Sequence, residues 1–148
     1  MYNAGNSIKT VLDKLTLQKI PQLEVLVYDD GSVDGSGAMV SELAGRGYYQ
    51  RPEKNHDALR LFYFPSQHTD APLPENALKV RRYLGDIAQQ EYIFFLDSDV
   101  ILPPNALPEL LAGLKASNAM FMGIMYEPTS SHQHVMFGAT LWNGCGEI

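Results

Sequence analysis

Cysteine and basic residues are both scarce in this sequence. Cys145 is the only cysteine among 148 residues, so no disulfide can form within the chain. A reducing, cytoplasmic setting is therefore the simpler expectation. Lysine and arginine number 11 against 17 acidic residues, which gives a net charge of -6. This balance argues against nucleic acid as the main partner, and an anionic ligand would need a cation or a local cluster of basic side chains.

Long hydrophobic runs are also missing. No apolar stretch reaches the ~18 residues of a membrane span, and the first residues do not follow the pattern of a signal peptide. Hydrophobic residues make up 45% and charged residues 19% of the chain, a balance that is ordinary for globular proteins. The sequence predicts one soluble domain over residues 1–148, and a peripheral contact with a membrane stays open.

Extended and helical patterns alternate along the chain. Helices are predicted over residues 6–15, 38–47, 76–89 and from Pro104 or Asn105 to Lys115, and extended segments over Leu23–Tyr28, Leu59–Phe64, Tyr92–Leu96, AMFMGIMY (119–126) and HVMFGATLW (134–142). The extended segments are apolar on both faces, which is typical of parallel strands covered by helices. The predicted fold class is α/β, with a mostly parallel sheet and helices on both faces.

Acidic residues follow two of the predicted strands. Asp29 and Asp30 come after LEVLVY, and Asp97 and Asp99 come after YIFFL. In open α/β sheets, ligands gather at the carboxyl ends of the strands. The two pairs therefore indicate one binding site at a common edge of the sheet.

The spacing within each pair matters. In an extended chain, the side chains of Asp97 and Asp99 project from the same face of the strand, about 6–7 Å apart. Two carboxylates placed in this way can hold a hard cation such as Mg²⁺ or Mn²⁺. The alternative is that one of them caps the turn before the next helix. Asp29 and Asp30 are adjacent and point to opposite faces, so only one of them is expected to face a ligand. DDGSVDG is also favourable turn chemistry, with Asp34 as a candidate helix cap.

Two other readings of these acids fit the residues poorly. The segment Asp30 to Gly35 resembles the start of an EF-hand loop, but its twelfth position is Ser41 where a glutamate is needed, and a strand pattern precedes it. A phospho-receiver domain also has acids at strand ends, but it needs a lysine near the pocket, and no lysine follows Lys115.

The stretch YNAGNSIKTVLDKLTLQKIPQLEVLVYDDGSVDGS, followed later by EYIFFLDSDVILPPNALPELL, resembles the family 2 glycosyltransferases of the GT-A (Rossmann-like) fold. The resemblance implies roles for six residues. Asp30 would hold the nucleoside, Tyr2 and Asn3 would line its pocket, Asp97 would lie near the ribose or the metal, and Asp99 would be the metal ligand that meets the diphosphate. Arg81 falls where the family has the arginine of an A-R-N-x-G stretch, although VRRYL places Arg82 and Leu84 at the Asn and Gly positions.

The function implied by the resemblance is metal-dependent transfer of a sugar. The donor would be a nucleotide-diphosphate sugar, with a UDP-sugar as the first expectation, the cofactor Mg²⁺ or Mn²⁺, and the acceptor a hydroxyl of a saccharide or of a lipid-linked molecule. The alternative is a non-catalytic module that binds a nucleotide sugar or a partner and derives from the same fold.

The resemblance also implies that residues 1–148 form a nucleotide-sugar-binding GT-A domain that is incomplete at both ends. The family's first strand would precede Tyr2, and its acidic catalytic base would follow HVMFGATLW, so no catalytic residue is assigned, Glu147 included. Without that first strand, Leu23–Tyr28 would lose half of its ladder partners. We therefore expect this edge to be paired by another segment of the chain or by a second copy in a homo-oligomer.

Overall fold

A computed structural model describes residues 1–49, 59–66, 74–117, 121–122 and 139–140. The helices are α1 (Ser7–Leu15), α2 (Ser36–Ala44), α3 (Pro74–Ile87) and α4 (Ala106–Ser117), and the strands are β1 (Glu24–Asp29), β2 (Tyr48–Tyr49), β3 (Leu59–Pro65), β4 (Phe121–Met122) and β5 (Ala139–Thr140). This mixture of helices and strands confirms the α/β fold class. None of the described helices combines the length and the apolarity needed to cross a membrane.

The two long strands form a parallel pair, as expected of the predicted α/β class. β1 runs parallel to β3, with Glu24 opposite Arg60 at one end and Asp29 opposite Pro65 at the other. The short strand β2, which the sequence did not predict, pairs antiparallel with the start of β3, so the order in this sheet is β1-β3-β2. β4 and β5 form a separate antiparallel pair.

Helix α1 owes its place to its apolar spacing. Its buried residues share one helical face, since they lie three or four positions apart in the pairs 8/11, 8/12, 11/15 and 12/15; they are Ile8, Val11, Leu12 and Leu15. They join the buried residues of the sheet, such as Leu59 and Leu61, in one core cluster. Each fully buried leucine contributes about 1.5–3 kcal/mol relative to an exposed one, so this stripe fixes α1 against the sheet.

The second edge of β1 faces a cavity. The Met1 amine donates to the Tyr28 carbonyl at 2.5 Å, and the Asp30 amide donates to the Met1 carbonyl at 2.8 Å. These two bonds form a single parallel bridge at the carboxyl end of β1. Along the rest of this edge, no strand among the described residues pairs with β1.

The predicted strand Tyr92–Leu96 lies across that cavity, and the prediction is wrong in its secondary structure. The segment has no strand assignment. Its apolar residues still pack, since Phe94 and Leu96 contact the core cluster. A strand needs a neighbour that completes its ladder of hydrogen bonds, and no described strand pairs with this segment, which lines the same cavity as β1. The apolar pattern therefore predicted burial correctly and pairing incorrectly.

Candidate functional site

A cavity of about 1,240 Å³ runs along β1 on the side away from β3. Its walls are β1, the segment Tyr92–Val100, the first residues of the chain, one side of α3 and residues of α1 and α4, most of them apolar. All six residues to which the resemblance assigns roles line this cavity: Tyr2, Asn3, Asp30, Arg81, Asp97 and Asp99. The two acidic motifs therefore meet at one site, although the Asp97 motif reaches it from an irregular segment and not from a strand.

Asp29 does not line the cavity, and its buried side chain stabilises the fold through hydrogen bonds. Its side chain is 4% exposed and accepts hydrogen bonds from the Ser32 amide at 3.0 Å, the Ser32 hydroxyl at 2.6 Å and the Tyr63 hydroxyl at 2.8 Å. Burial, and after it the hydrogen bond to Asp29, raises the pKa of Tyr63 to about 12. Gly37 leaves the room that this carboxylate needs, because a Cβ at Gly37 would lie 2.1 Å from Asp29 Oδ2.

The turn after β1 is tied to the start of the chain. The Asn3 side-chain oxygen accepts from the Val33 amide at 2.9 Å, and the Asn3 amide donates to the Ser32 hydroxyl at 2.9 Å. Asp34 accepts from the Gly5 amide at 2.7 Å and from the Ser36 hydroxyl and amide at 2.5 and 3.0 Å. The bonds from Ser36 lower the pKa of Asp34. Asn3 thus lines the cavity as expected, but its side-chain oxygen is engaged in holding this turn.

Asp30 is the acid of its pair that faces the cavity. It is half-buried, and its amide is held by the Met1 carbonyl. Asp29 accepts hydrogen bonds from Ser32 and Tyr63, whereas Asp30 lines the cavity. The two adjacent side chains therefore point in opposite directions, as expected in a strand.

Aromatic rings surround the same end of the sheet. Tyr28 and Phe64 stand opposite each other in the β1–β3 register. The Tyr83 ring of α3 makes edge-on contacts with both, with centroid separations of 6.1 Å to Tyr28 and 5.9 Å to Phe64. The hydrophobic and edge-to-face contacts of this trio hold α3 over the carboxyl ends of the strands.

α3 brings Arg81 to the second acidic motif. An Arg81 guanidinium nitrogen lies 3.7 Å from Asp97 Oδ1, and the two side chains are 51% and 56% exposed. An exposed ion pair of this kind contributes little to stability, so either partner can exchange it for a ligand. Arg81 therefore lies beside Asp97, and its role toward a ligand stays a prediction.

Asp97 and Asp99 offer the oxygen ligands that Mg²⁺ and Mn²⁺ prefer. In the part of the chain that the structure describes, no group of three histidine, cysteine or acidic side chains could enclose a metal ion. Such a set of two carboxylates suits a cation that keeps several waters or takes its other ligands from substrate phosphates. A cation bound here would have to take its remaining ligands from water or from a phosphorylated ligand.

Two residues that the sequence did not assign to the site contact the Asp97–Pro103 segment. Ser7 lies in α1, and Gln18 lies in the turn after it. The Ser7 hydroxyl lies 2.5 Å from the Ala4 carbonyl and 3.1 Å from the Ser98 carbonyl. Gln18 is fully buried, and its side chain donates to the Pro103 carbonyl and accepts from the Leu107 amide, both at 2.9 Å. Both contacts span more than 80 residues of sequence, and no local pattern could have predicted them.

Cys145 and Glu147 lie outside the described residues, as do most of the segments AMFMGIMY and HVMFGATLW. The only parts of those segments that the structure describes are β4 and β5, whose pairing is antiparallel.

Comparison with known proteins agrees with this picture. Residues 1–60, which include α1, β1 and the DDGS turn, match the family model described as Glycosyl transferase family 2. A Mycoplasma pneumoniae protein described as "Uncharacterized glycosyltransferase MG060 homolog" is 31% identical over 111 residues, which cover 74% of this chain and 32% of that protein. No solved structure gives a significant match. The resemblance to family 2 glycosyltransferases is therefore confirmed, and the chain spans about a third of the length of this curated relative.

Proposed function

We propose that this chain forms the donor-binding part of a glycosyltransferase that moves a sugar from a nucleotide-diphosphate sugar to an acceptor hydroxyl. The observation that supports this most directly is the meeting of two separate acidic motifs at one cavity. Asp30 reaches it from the end of β1, and Asp97 and Asp99 reach it from residues far along the chain. A site for a nucleotide diphosphate needs groups for the nucleoside and for the phosphates, and the two motifs supply one group for each part.

Asp30 is suited to the nucleoside. A carboxylate accepts hydrogen bonds from the N–H groups of a base or from ribose hydroxyls, and uracil and ribose offer both. Asp30 is half-buried beside the bridge that Met1 forms with β1, so its position is set by the backbone of the sheet. Tyr2 lines the same cavity and is 44% exposed, which leaves its ring free to contact a ligand. A UDP-sugar is the first candidate for the donor.

The diphosphate meets a different environment. Asp97 and Asp99 would repel it in the absence of a cation, and these two residues would hold Mg²⁺ or Mn²⁺. When bound, the cation would neutralise the charge that develops on the departing diphosphate. Arg81 adds a positive charge at the same place, because its guanidinium already lies beside Asp97 and is half exposed. The acceptor hydroxyl must lose its proton to a base, and we assign this role to none of the described residues.

The acceptor that we propose is a hydroxyl of a saccharide or of a lipid-linked molecule. A transfer assay with Mn²⁺ and UDP-sugars separates catalysis from binding alone. Release of UDP from a UDP-sugar would support an enzyme. Binding of UDP with no release and no transfer would instead favour the non-catalytic nucleotide-sugar-binding module.

Calorimetry of UDP binding tests the donor site itself. We expect UDP to bind with Mn²⁺ present and to lose most of its affinity in EDTA, because the acids otherwise repel the phosphates. Asp99→Asn should remove most of the metal dependence. Asp86→Asn is a matched control, since Asp86 is an exposed acid on α3 that does not line the cavity. Equal affinity for UDP with Mn²⁺ and with EDTA would contradict the proposal.

A further inference from the structure

The segment that presents Asp97 and Asp99 has little regular structure of its own. Tyr92–Leu96 before it is not a strand, and α4 begins only at Ala106. Within the segment, one turn is closed by a hydrogen bond from the Val100 amide to the Asp97 carbonyl at 3.2 Å. Two carboxylates that are to share a ligand need fixed positions, and this single local bond cannot provide them.

The apolar side chains of the segment anchor only part of it. Val100 and Leu102 are 9% and 6% exposed, whereas Asp97, Asp99 and Ile101 are exposed. Leu102 belongs to the core cluster. This alternation fixes the middle of the segment. At its two ends, the Pro103 carbonyl accepts a long local bond from the Ala106 amide at 3.3 Å, and the carbonyls of Ser98 and Pro103 are both within reach of groups from α1 and the turn after it.

Those two carbonyls are contacted from α1 and the turn that follows it. Gln18 contacts the C-terminal end of the segment. Its side-chain N–H donates to the Pro103 carbonyl at 2.9 Å, and its oxygen accepts from the Leu107 amide in the first turn of α4 at 2.9 Å. Ser7 contacts the N-terminal end of the segment, where its hydroxyl lies 3.1 Å from the Ser98 carbonyl. The single Ser7 proton is shared with the closer Ala4 carbonyl, so the Ser7 contact is the weaker of the two.

The complete burial of Gln18 makes its role specific. A buried amide is costly unless its donor and acceptor groups are both satisfied, and a residue that follows a helix could instead point to solvent. Here the side chain is 0% exposed. Its two hydrogen bonds connect the end of α1 to Pro103, the last residue of the acidic segment, and to Leu107 in α4. An apolar residue of the same size would fill the space but would not hold these two backbone groups.

We infer that Gln18 and Ser7 are positioning residues that hold the Asp97–Pro103 segment so that Asp97 and Asp99 face the cavity together. Their effect on ligand binding rests on the proposed function, because it acts through the cation and diphosphate that those two acids would bind. The outer partners of metal-binding carboxylates have effects of this kind, typically about 10- to 100-fold in affinity.

Two measurements on the full chain test the inference. The first is calorimetry of UDP in the presence of Mn²⁺. Gln18→Met, which nearly preserves volume, should weaken UDP binding about 10-fold. Ser7→Ala should weaken it by about threefold, in keeping with its single shared hydrogen bond, and Ser7→Thr should restore it because the hydroxyl is kept. Thr10→Ala is the control, since this exposed hydroxyl of the same helix donates to the Asn6 carbonyl and, among the described residues, to no part of the acidic segment.

The second measurement is amide hydrogen exchange without ligand. Gln18→Met should speed exchange of the Val100 and Leu107 amides by about 10-fold or more while β1 is unchanged. If the wild-type protein does not bind UDP with Mn²⁺, the donor site fails but exchange still decides whether Gln18 holds the segment. Folded Gln18→Met and Ser7→Ala proteins with wild-type exchange and wild-type UDP affinity would overturn the inference. So would a loss in Thr10→Ala equal to that in Ser7→Ala. If Gln18→Met does not fold, Ser7→Ala and its threonine rescue decide the question alone.

Discussion

The adjacent acids Asp29 and Asp30 should respond to the same substitution in opposite ways. Asp29→Ala removes a buried carboxylate that accepts three hydrogen bonds, and it leaves the Tyr63 hydroxyl and the Ser32 amide without that acceptor. Asp30→Ala removes a half-buried carboxylate at the cavity wall. The first change should therefore lower stability, and the second should lower ligand affinity.

The expected sizes follow from these contacts. A hydrogen bond to a charged group contributes about 1.5–3 kcal/mol, but bonds to one carboxylate are not additive, so we expect Asp29→Ala to cost about 3 kcal/mol in all. In a domain of this size that corresponds to a fall in Tm of roughly 6–12 °C. Asp30→Ala should change Tm by less than about 2 °C, because half-exposed surface substitutions stay within about 0.5 kcal/mol.

Affinity should show the reverse order. The loss of one charged hydrogen bond to the nucleoside in Asp30→Ala should weaken uridine or UDP binding about 10- to 100-fold. Asp29→Ala, measured well below its own Tm, should bind UDP within about threefold of wild type, since Asp29 faces away from the cavity. Thermal unfolding followed by circular dichroism and calorimetry with UDP and Mn²⁺ give both quantities. Equal losses of Tm in the two variants, or normal UDP binding by Asp30→Ala, would refute this division of roles.

Three further outcomes are expected. Gly37→Ala should lower Tm by about 4 °C or more, because the new methyl group would lie 2.1 Å from the Asp29 carboxylate, which must move. The Tyr63 hydroxyl should contribute its full stability below about pH 10, the pKa of an unfolded tyrosine. That contribution should be lost as the pH rises through the folded-state pKa of about 12. The free energy of unfolding of Tyr63→Phe should therefore fall less steeply with pH in this range. If the edge of β1 away from β3 is paired in solution, the Leu26 and Tyr28 amides should exchange as slowly as their neighbours. Light scattering then shows whether the pairing lies within a monomer or in a homo-oligomer. Fast exchange at Leu26 in a monomer would contradict that pairing.

Local patterns in the sequence predicted those features that depend on a few consecutive residues. The spacing of Ile8 to Leu15 gave α1 its buried face, and the apolar run before Asp29 gave β1. The adjacency of Asp29 and Asp30 correctly implied that only one of them faces a ligand, because side chains alternate along a strand whatever surrounds it. The small extra strand β2 was not predictable, since two tyrosines pair with β3 only because the chain returns there.

Contacts between distant parts of the chain carried no such signal. Gln18 stands in LTLQK, where a glutamine after an apolar stripe indicates a surface position, yet it is fully buried because α4 and Pro103 bring a donor and an acceptor to it. Tyr92–Leu96 shows the converse. Its residues are as apolar as those of β1, but β1 is a strand because β3 completes its ladder, while Tyr92–Leu96 faces the cavity along the other edge of β1. Hydrophobicity places both segments in the interior, and only a neighbour in register makes one of them a strand. The cavity that borders Tyr92–Leu96 is also lined by Asp30, Asp97 and Asp99, so the edge of β1 away from β3 and the candidate site share one space. Whatever occupies that edge therefore sets the inner wall of the site.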